Sequence, residues 1–197
     1  GYVAGFPVPE VVQGINAFTL GMRAANPQAT VRVVWLNAWF DPPREREAAL
    51  TLLNQGADVL TNHSASPAVA QVAEEKGAML LAFQSDMARY APHAQLAAVT
   101  HHWGGFYTRV AQSVLDGRWS VKPVWGGMNA GMVQLSALSP ALPAEVKAGL
   151  AQRQRALVAG KLLPFAAPLV DNTGRTRLAR GALDDTAIAG MDWLVQG

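Results

Sequence analysis

Four short clusters combine flat aromatic rings with amide, imidazole and carboxylate groups, and each follows a β-rich run. They are Gly5-Phe6-Pro7-Val8-Pro9-Glu10, Asn37-Ala38-Trp39-Phe40-Asp41-Pro42, Asn62-His63-Ser64-Ala65-Ser66-Pro67 and Gln84-Ser85-Asp86-Met87. Rings at a cleft stack on flat or apolar ligands, while a few polar groups fix the ligand's orientation. That is the chemistry of binding. The parts of bond-making chemistry are missing from the motif record. No G-x-S-x-G elbow presents a nucleophile, and neither G-x-G-x-x-G nor G-x-x-x-x-G-K-[ST] is present to cradle a phosphate. Gly104-Gly105 and Gly126-Gly127 lack the strand–glycine–helix setting such a cradle needs.

The histidines divide by position. Adjacent His101 and His102 point to opposite faces of a strand, so they do not reach one metal ion together, and no metal site is expected. His93 reads as a surface-loop residue. His63, in the loop at a strand end between Asn62 and Ser64, reads either as a hydrogen-bonding partner for a ligand or as a residue satisfying loop backbone. Asp86 likewise reads either as the cap of a following helix or as a ligand contact, and Gln84 aims at the cleft more directly. Asp41, ahead of Pro42-Pro43, reads as a helix cap. Of the six tryptophans, Trp35, Trp39, Trp103 and Trp125 lie near the presumed ligand edge. Trp35, inside a strand, suits the core; Trp39 and Trp103, flanking helix starts, suit a pocket lining.

Composition narrows the classes. Charged residues make up 15% of the chain, well below the roughly 25% of ordinary soluble domains, so disorder is excluded and extra buried surface is expected. Lys and Arg exceed Asp and Glu by only two, and Arg153/Arg155 and Arg175–Arg180 are interrupted, which is no nucleic-acid footprint. There is no cysteine, hence no disulfide, thiolate metal site or cysteine nucleophile. No apolar run reaches the ~18 residues of a membrane span, and no signal peptide is visible. Gly1-Tyr2-Val3-Ala4-Gly5 reads as a strand already under way, which predicts sequence upstream of it.

The elements that must position these clusters alternate strand and helix over the first hundred residues. Strands are expected at Gly1–Ala4, Val31–Trp35, Asp58–Leu60 and Met79–Phe83, with helices over Pro9–Ala25, Pro43–Gln55 and Pro67–Lys76. Pro9 opens the first helix and Gly56 and Gly77 stop the next two. Beyond them, Leu96–Val99 reads as a strand and Trp103–Asp116 as a helix. Val121–Trp125 and Gly131–Leu135 read as strands bracketing a glycine turn, and Pro143–Ala159 as the longest helix. Leu169–Leu178 reads as a hairpin turning at Asn172-Thr173-Gly174, followed by a terminal helix over Asp184–Met191. The predicted class is α/β: a Rossmann-like parallel sheet flanked by helices, with the four clusters on the edge where such sheets bind ligands.

The segments GYVAGFPVPEVVQGINAFTLG (Gly1–Gly21), VWLNAWFDP (Val34–Pro42), GADV (Gly56–Val59), SDM (Ser85–Met87), WGGM (Trp125–Met128) and GMDW (Gly190–Trp193) resemble the basic membrane protein family over essentially the whole chain. These are substrate-binding proteins of bacterial ABC importers, similar to purine nucleoside and nucleobase receptors. The resemblance implies a type 1 periplasmic-binding-protein fold, of which residues 1–135 would form the second ligand-binding lobe. Residues 136–197 would supply a helix, a hairpin and a terminal helix packed on the lobes, and the first lobe would lie upstream. It implies ligand contacts at Phe6, Asn37, Trp39, His63, Gln84, Asp86 and Trp103, no catalysis, no cofactor, and an ABC permease as partner. It also implies a periplasmic or cell-surface lipoprotein whose signal sequence and lipid anchor precede this segment. Ala65, Gln84 and His101-His102 depart from the family's usual residues, which bears on ligand identity. A Rossmann-like enzyme acting on a nucleoside, such as a hydrolase, is the competing class; a carboxylate cluster at the ligand edge would mark it, and only Asp86 stands there.

Overall fold

The computed structural model describes Gly1–Gly197. Its centre is a six-stranded sheet built from β1 (Tyr2–Ala4), β2 (Val33–Trp35), β3 (Val59–His63), β4 (Met79–Gln84), β5 (Gln95–His101) and β6 (Val133–Ser136), in the spatial order β2-β1-β3-β4-β5-β6. The first five strands are parallel and β6 is antiparallel to β5. The chain therefore has the expected α/β class, with an antiparallel edge strand added.

Helices cover both faces because strand residues alternate in direction. Tyr2 and Ala4 pack with Val11 and Ile15 of α1 (Pro9–Ala25) on one face. Val3, Leu60, Leu80 and Ala82 pack on the other with Ala48, Ala49 and Leu52 of α2 (Pro42–Asn54) and Val69, Val72 and Ala73 of α3 (Ala68–Lys76). Pro sits in the first turn of both α1 and α2, where its missing N–H costs nothing. Gly77 ends α3 in the left-handed conformation, at φ 65°.

After β5 come α4 (Trp103–Leu115), a short 3₁₀ turn (Met128–Ala130) leading into β6, and α5 (Ala144–Val158). The chain ends in a hairpin, β7 (Leu169–Val170) with β8 (Thr176–Leu178), and a short α6 (Asp185–Ala189). Phe165, Leu169 and Met191 pack against Val12, so this terminal segment lies on α1. Asn16, fully buried on α1, fastens it: its amide donates to the Trp193 carbonyl at 2.7 Å, and its oxygen accepts from the Val195 N–H at 2.9 Å.

Four expectations differ from the structure. α5, at 15 residues, is not the longest helix; α1, with 17, is, because Pro143 and Ala159 flank α5 as its caps rather than belonging to it. β3 continues through Asn62 and His63, because Tyr2, Val3 and Ala4 of β1 pair with Thr61, Asn62 and His63. His63 is thus a strand residue rather than a loop residue. Val121–Trp125 forms no strand: it has β-prone residues but pairs with nothing, and every one of its residues is exposed. No helix follows Asp86 either; β4 and β5 are linked by turns, so the capping role foreseen there is played to a turn instead.

Candidate functional site

Parallel strands deliver their C-terminal ends to one edge, and here the ladder continues past the strands. The Asn37 N–H donates to the Gly5 carbonyl (2.9 Å) and the Gly5 N–H to the His63 carbonyl (3.1 Å). Asn37, Gly5 and His63 therefore lie side by side at that edge. The Ala65 N–H donates to the Trp39 carbonyl at 2.8 Å, closing the loop after β3 onto the loop after β2.

Along this edge the rings form an unbroken series that takes the strands in chain order, from the loop after β1 to the end of β5. Phe6 meets Trp39 at 5.1 Å between centroids, Trp39 meets His63 at 6.1 Å, and His63 meets Phe83 at 4.8 Å. Phe83 then meets His101 at 5.8 Å and His101 meets Trp103 at 5.2 Å, where α4 continues the line with Phe106 and Tyr107. Most pairs are edge-to-face or tilted, the arrangement ring quadrupoles favour. Trp39 and Trp103 keep 44% and 39% of their surface exposed, so their faces remain open to a ligand.

Trp39 sits where it does because residue 5 is glycine. A Cβ there would lie 2.7 Å from Trp39 Cε3, closer than carbon atoms pack. Two polar members of the site carry positive φ without being glycine, Asn37 at 53° and Gln84 at 68°. Such backbone costs of order ~1–3 kcal/mol and collects at functional positions. Gln84 is the last residue of β4, and Asn37 lies two residues beyond β2.

His63 is the buried polar centre of the series, with only 3% of its surface exposed. Its Nε2 lies 3.6 Å from an oxygen of Glu10 in the first turn of α1, beyond hydrogen-bond reach. Its Nδ1, on the side of Gly14, has no hydrogen-bond partner. Burial holds its pKa below the ordinary histidine value; the Glu10 carboxylate pulls the other way, and the neighbouring His101 adds slightly to the lowering. The imidazole is therefore neutral near pH 7, with one nitrogen able to donate and the other able to accept.

The structure brings Phe6, Trp39, His63 and Trp103 into one series, with Gln84 at the end of β4 and Asn37 two residues beyond β2. Asp86 is exposed and engaged elsewhere: one oxygen accepts from Gln95 Nε2 (2.8 Å) and from the Ala88 N–H (2.9 Å). Sequence reasoning missed Phe83 as a site residue, and it read His101 as unable to share a metal with His102 and as a departure bearing on ligand identity, without assigning it a place in the site. The available signal was position, since His63 and His101 close their strands and Phe83 comes one residue earlier. It also missed Glu45. Residues 45, 48, 49 and 52 fall on one helical stripe, and all four are buried, which places a carboxylate on the inward face of α2.

Comparison with known proteins adds lineage to this geometry. The family model described as "ABC transporter substrate-binding protein PnrA-like" (Bmp) matches residues 1–160. A purine-binding protein of Brucella abortus (strain 2308) is 40% identical over 198 aligned positions, covering 100% of this chain and 56% of that protein. A protein of Haloferax volcanii, provisionally named an ABC transporter glucose-binding protein, is 38% identical over 82% of this chain and 41% of its own length. Among solved structures, an ABC transporter solute-binding protein from Conexibacter woesei superposes with a TM-score of 0.67 at 20% identity, over 82% of this chain and 55% of that one, a likeness of fold. The chain spans about half the length of the curated relatives it matches.

Proposed function

The chain belongs to the family of PnrA-like ABC transporter substrate-binding proteins, and on that premise we propose that it supplies one wall of a cleft binding a purine base or nucleoside. The observation that carries the reading is the ring series from Phe6 to Trp103 along the C-terminal sheet edge. Trp39 and Trp103 present stacking faces to a flat heterocycle. Asn37, His63 and Gln84 offer amide and imidazole groups to its polar rim. The 40% identity to a purine-binding protein supports the same choice of ligand.

The second wall is proposed to be another lobe, and α4 supports this. Trp103, Phe106, Tyr107, Val110, Val114 and Leu115 recur at helical spacing, the pattern of a helix with a buried face. Yet α4 buries no residue, and Tyr107, Val114 and Leu115 are more than half exposed. Trp119, Val121, Val124 and Trp125 extend the apolar surface along the following segment. Apolar surface on this scale marks a contact with another body. Closure would be favoured by ligand because only the closed state lets both walls touch it. The ligand would then pass to an ABC permease outside the cytoplasm. No helix is long and apolar enough to cross a membrane.

Calorimetry on the full-length protein tests the ligand with adenine, adenosine and glucose. Adenine or adenosine should bind, and Trp39→Ala or Trp103→Ala should weaken them by about 1–3 kcal/mol, the range for an aromatic base platform. Binding of glucose alone would replace the purine reading. Release of free base from adenosine would replace it with an enzyme.

A further inference from the structure

Glu45 is fully buried in the first turn of α2, and no cation is paired with it. Its Oε2 accepts hydrogen bonds from Ser64 Oγ at 2.8 Å and Ser66 Oγ at 2.7 Å, and its Oε1 accepts the Asp41 N–H at 3.3 Å. The direction of each bond is forced. Asn62 Nδ2 and the Ala68 N–H can only donate, and each donates to one of the serine hydroxyls, at 3.1 and 3.2 Å. Each hydroxyl has a single proton, which is left for the carboxylate. Asn62, Ser64 and Ser66 are themselves buried, so water does not substitute for a lost partner.

That carboxylate joins two loops. Oε1 holds the loop after β2 at Asp41, two residues beyond Trp39. Oε2 holds the loop after β3 through the serines that follow His63 and flank Ala65, whose N–H is bonded to the Trp39 carbonyl. Trp39 and His63 are the adjoining rings that these loops carry. We propose that Glu45 is a positioning residue of the binding site, holding Trp39 against His63 in the ligand-ready arrangement before any ligand arrives. Only an acceptor at both oxygens fits. An amide with its oxygen toward the serines would turn N–H groups on the Asp41 N–H, and the flipped amide would leave both serine protons without an acceptor. A site organised in advance loses less freedom on binding, so release of this grip lowers affinity without touching the ligand.

The ligand part of the test rests on the purine reading above; the ligand-free part does not. In the full-length protein, Glu45→Gln should leave the far-ultraviolet circular dichroism intact and broaden or split the Trp39 indole and His63 ring resonances of the unliganded protein. Adenine affinity measured well below the melting temperature should fall about tenfold, a preorganisation loss. Glu47→Gln, on the exposed side of the same helix, is the control and should change neither. Should Glu45→Gln fail to fold, Ser64→Ala and Ser66→Ala each remove one grip and should broaden the same two resonances. Unchanged Trp39 and His63 resonances in folded variants would overturn the proposal, as would a lowered melting temperature with unchanged adenine affinity. If the wild-type protein does not bind adenine, the purine reading falls and the resonances still decide the role of Glu45.

Discussion

Gly5→Ala probes the fit between the first strand and the aromatic edge without altering any ring. The added Cβ would stand 2.7 and 2.9 Å from Cε3 and Cζ3 of Trp39, and 3.1 Å from the Ala38 carbonyl oxygen. Carbon atoms pack at ~3.5–4.0 Å, so the indole must retreat by roughly 1 Å. It cannot do so freely, because Phe6 and His63 lie against it at 5.1 and 6.1 Å. Overpacking of this kind costs about 1–3 kcal/mol. The contact with Ala38 is milder, so most of that cost belongs to Trp39. Urea unfolding of Gly5→Ala, Trp39→Ala and the double variant separates the two. Gly5→Ala should cost about 1–3 kcal/mol with Trp39 present and below ~0.5 kcal/mol once Trp39 is alanine, a coupling expected of residues in contact. Adenine affinity should fall in Gly5→Ala in the same direction as in Trp39→Ala. An equal stability cost in both backgrounds would mean that the strain lies in the Ala38 backbone, and the account of why residue 5 is glycine would fail.

Two further outcomes follow from buried polar groups. His63 has a folded-state pKa below its ordinary value of 6.5 because of burial, so the unfolded chain binds the extra proton first. Stability should therefore fall as pH drops below about 6.5, and His63→Gln should flatten the melting-temperature profile between about pH 7 and 5; an unaltered slope would assign the acid sensitivity elsewhere. Asn16→Ala would strip the partners from the Trp193 carbonyl and the Val195 N–H, costing roughly 1–3 kcal/mol per orphaned group, and should raise proteolysis near the C-terminus; an unchanged urea midpoint would show that Phe165, Leu169 and Met191 hold the terminal segment unaided.

The sequence made the punctuation of this fold legible, and with it most of the residues at the C-terminal sheet edge. Pro9, Gly56 and Gly77 mark helix ends by local chemistry, and the structure places α1, α2 and α3 within a residue or two of those marks. The hairpin turning at Asn172-Thr173-Gly174 was equally local. Pairing was not. Whether β-prone residues become a strand depends on a neighbour that the segment itself does not contain. Val59-Leu60 gained Thr61, Asn62 and His63 because β1 lies alongside, whereas Val121–Trp125 has no neighbour and stays irregular. α4 shows the same dependence in three dimensions, since its spacing declares an apolar face that this chain alone does not cover.

The candidate site divides along that line. Phe6, Trp39 and Trp103 were readable because each ring stands beside a strand end or a helix start. That Phe83 and His101 join them was hidden, for it follows from β4 and β5 lying next to β3 in the sheet. Glu45 was hidden more deeply. A glutamate in the first turn of a helix ordinarily faces water and favours the helix dipole. Here Ser64 and Ser66, distant in sequence, convert it into a buried clasp. Much of the ring series is thus written in residue types near strand ends, while the rigidity proposed for it would be written in contacts between loops. Substitutions at Trp39 should therefore test what the site binds, and substitutions at Glu45 how well the empty site is already shaped to bind it.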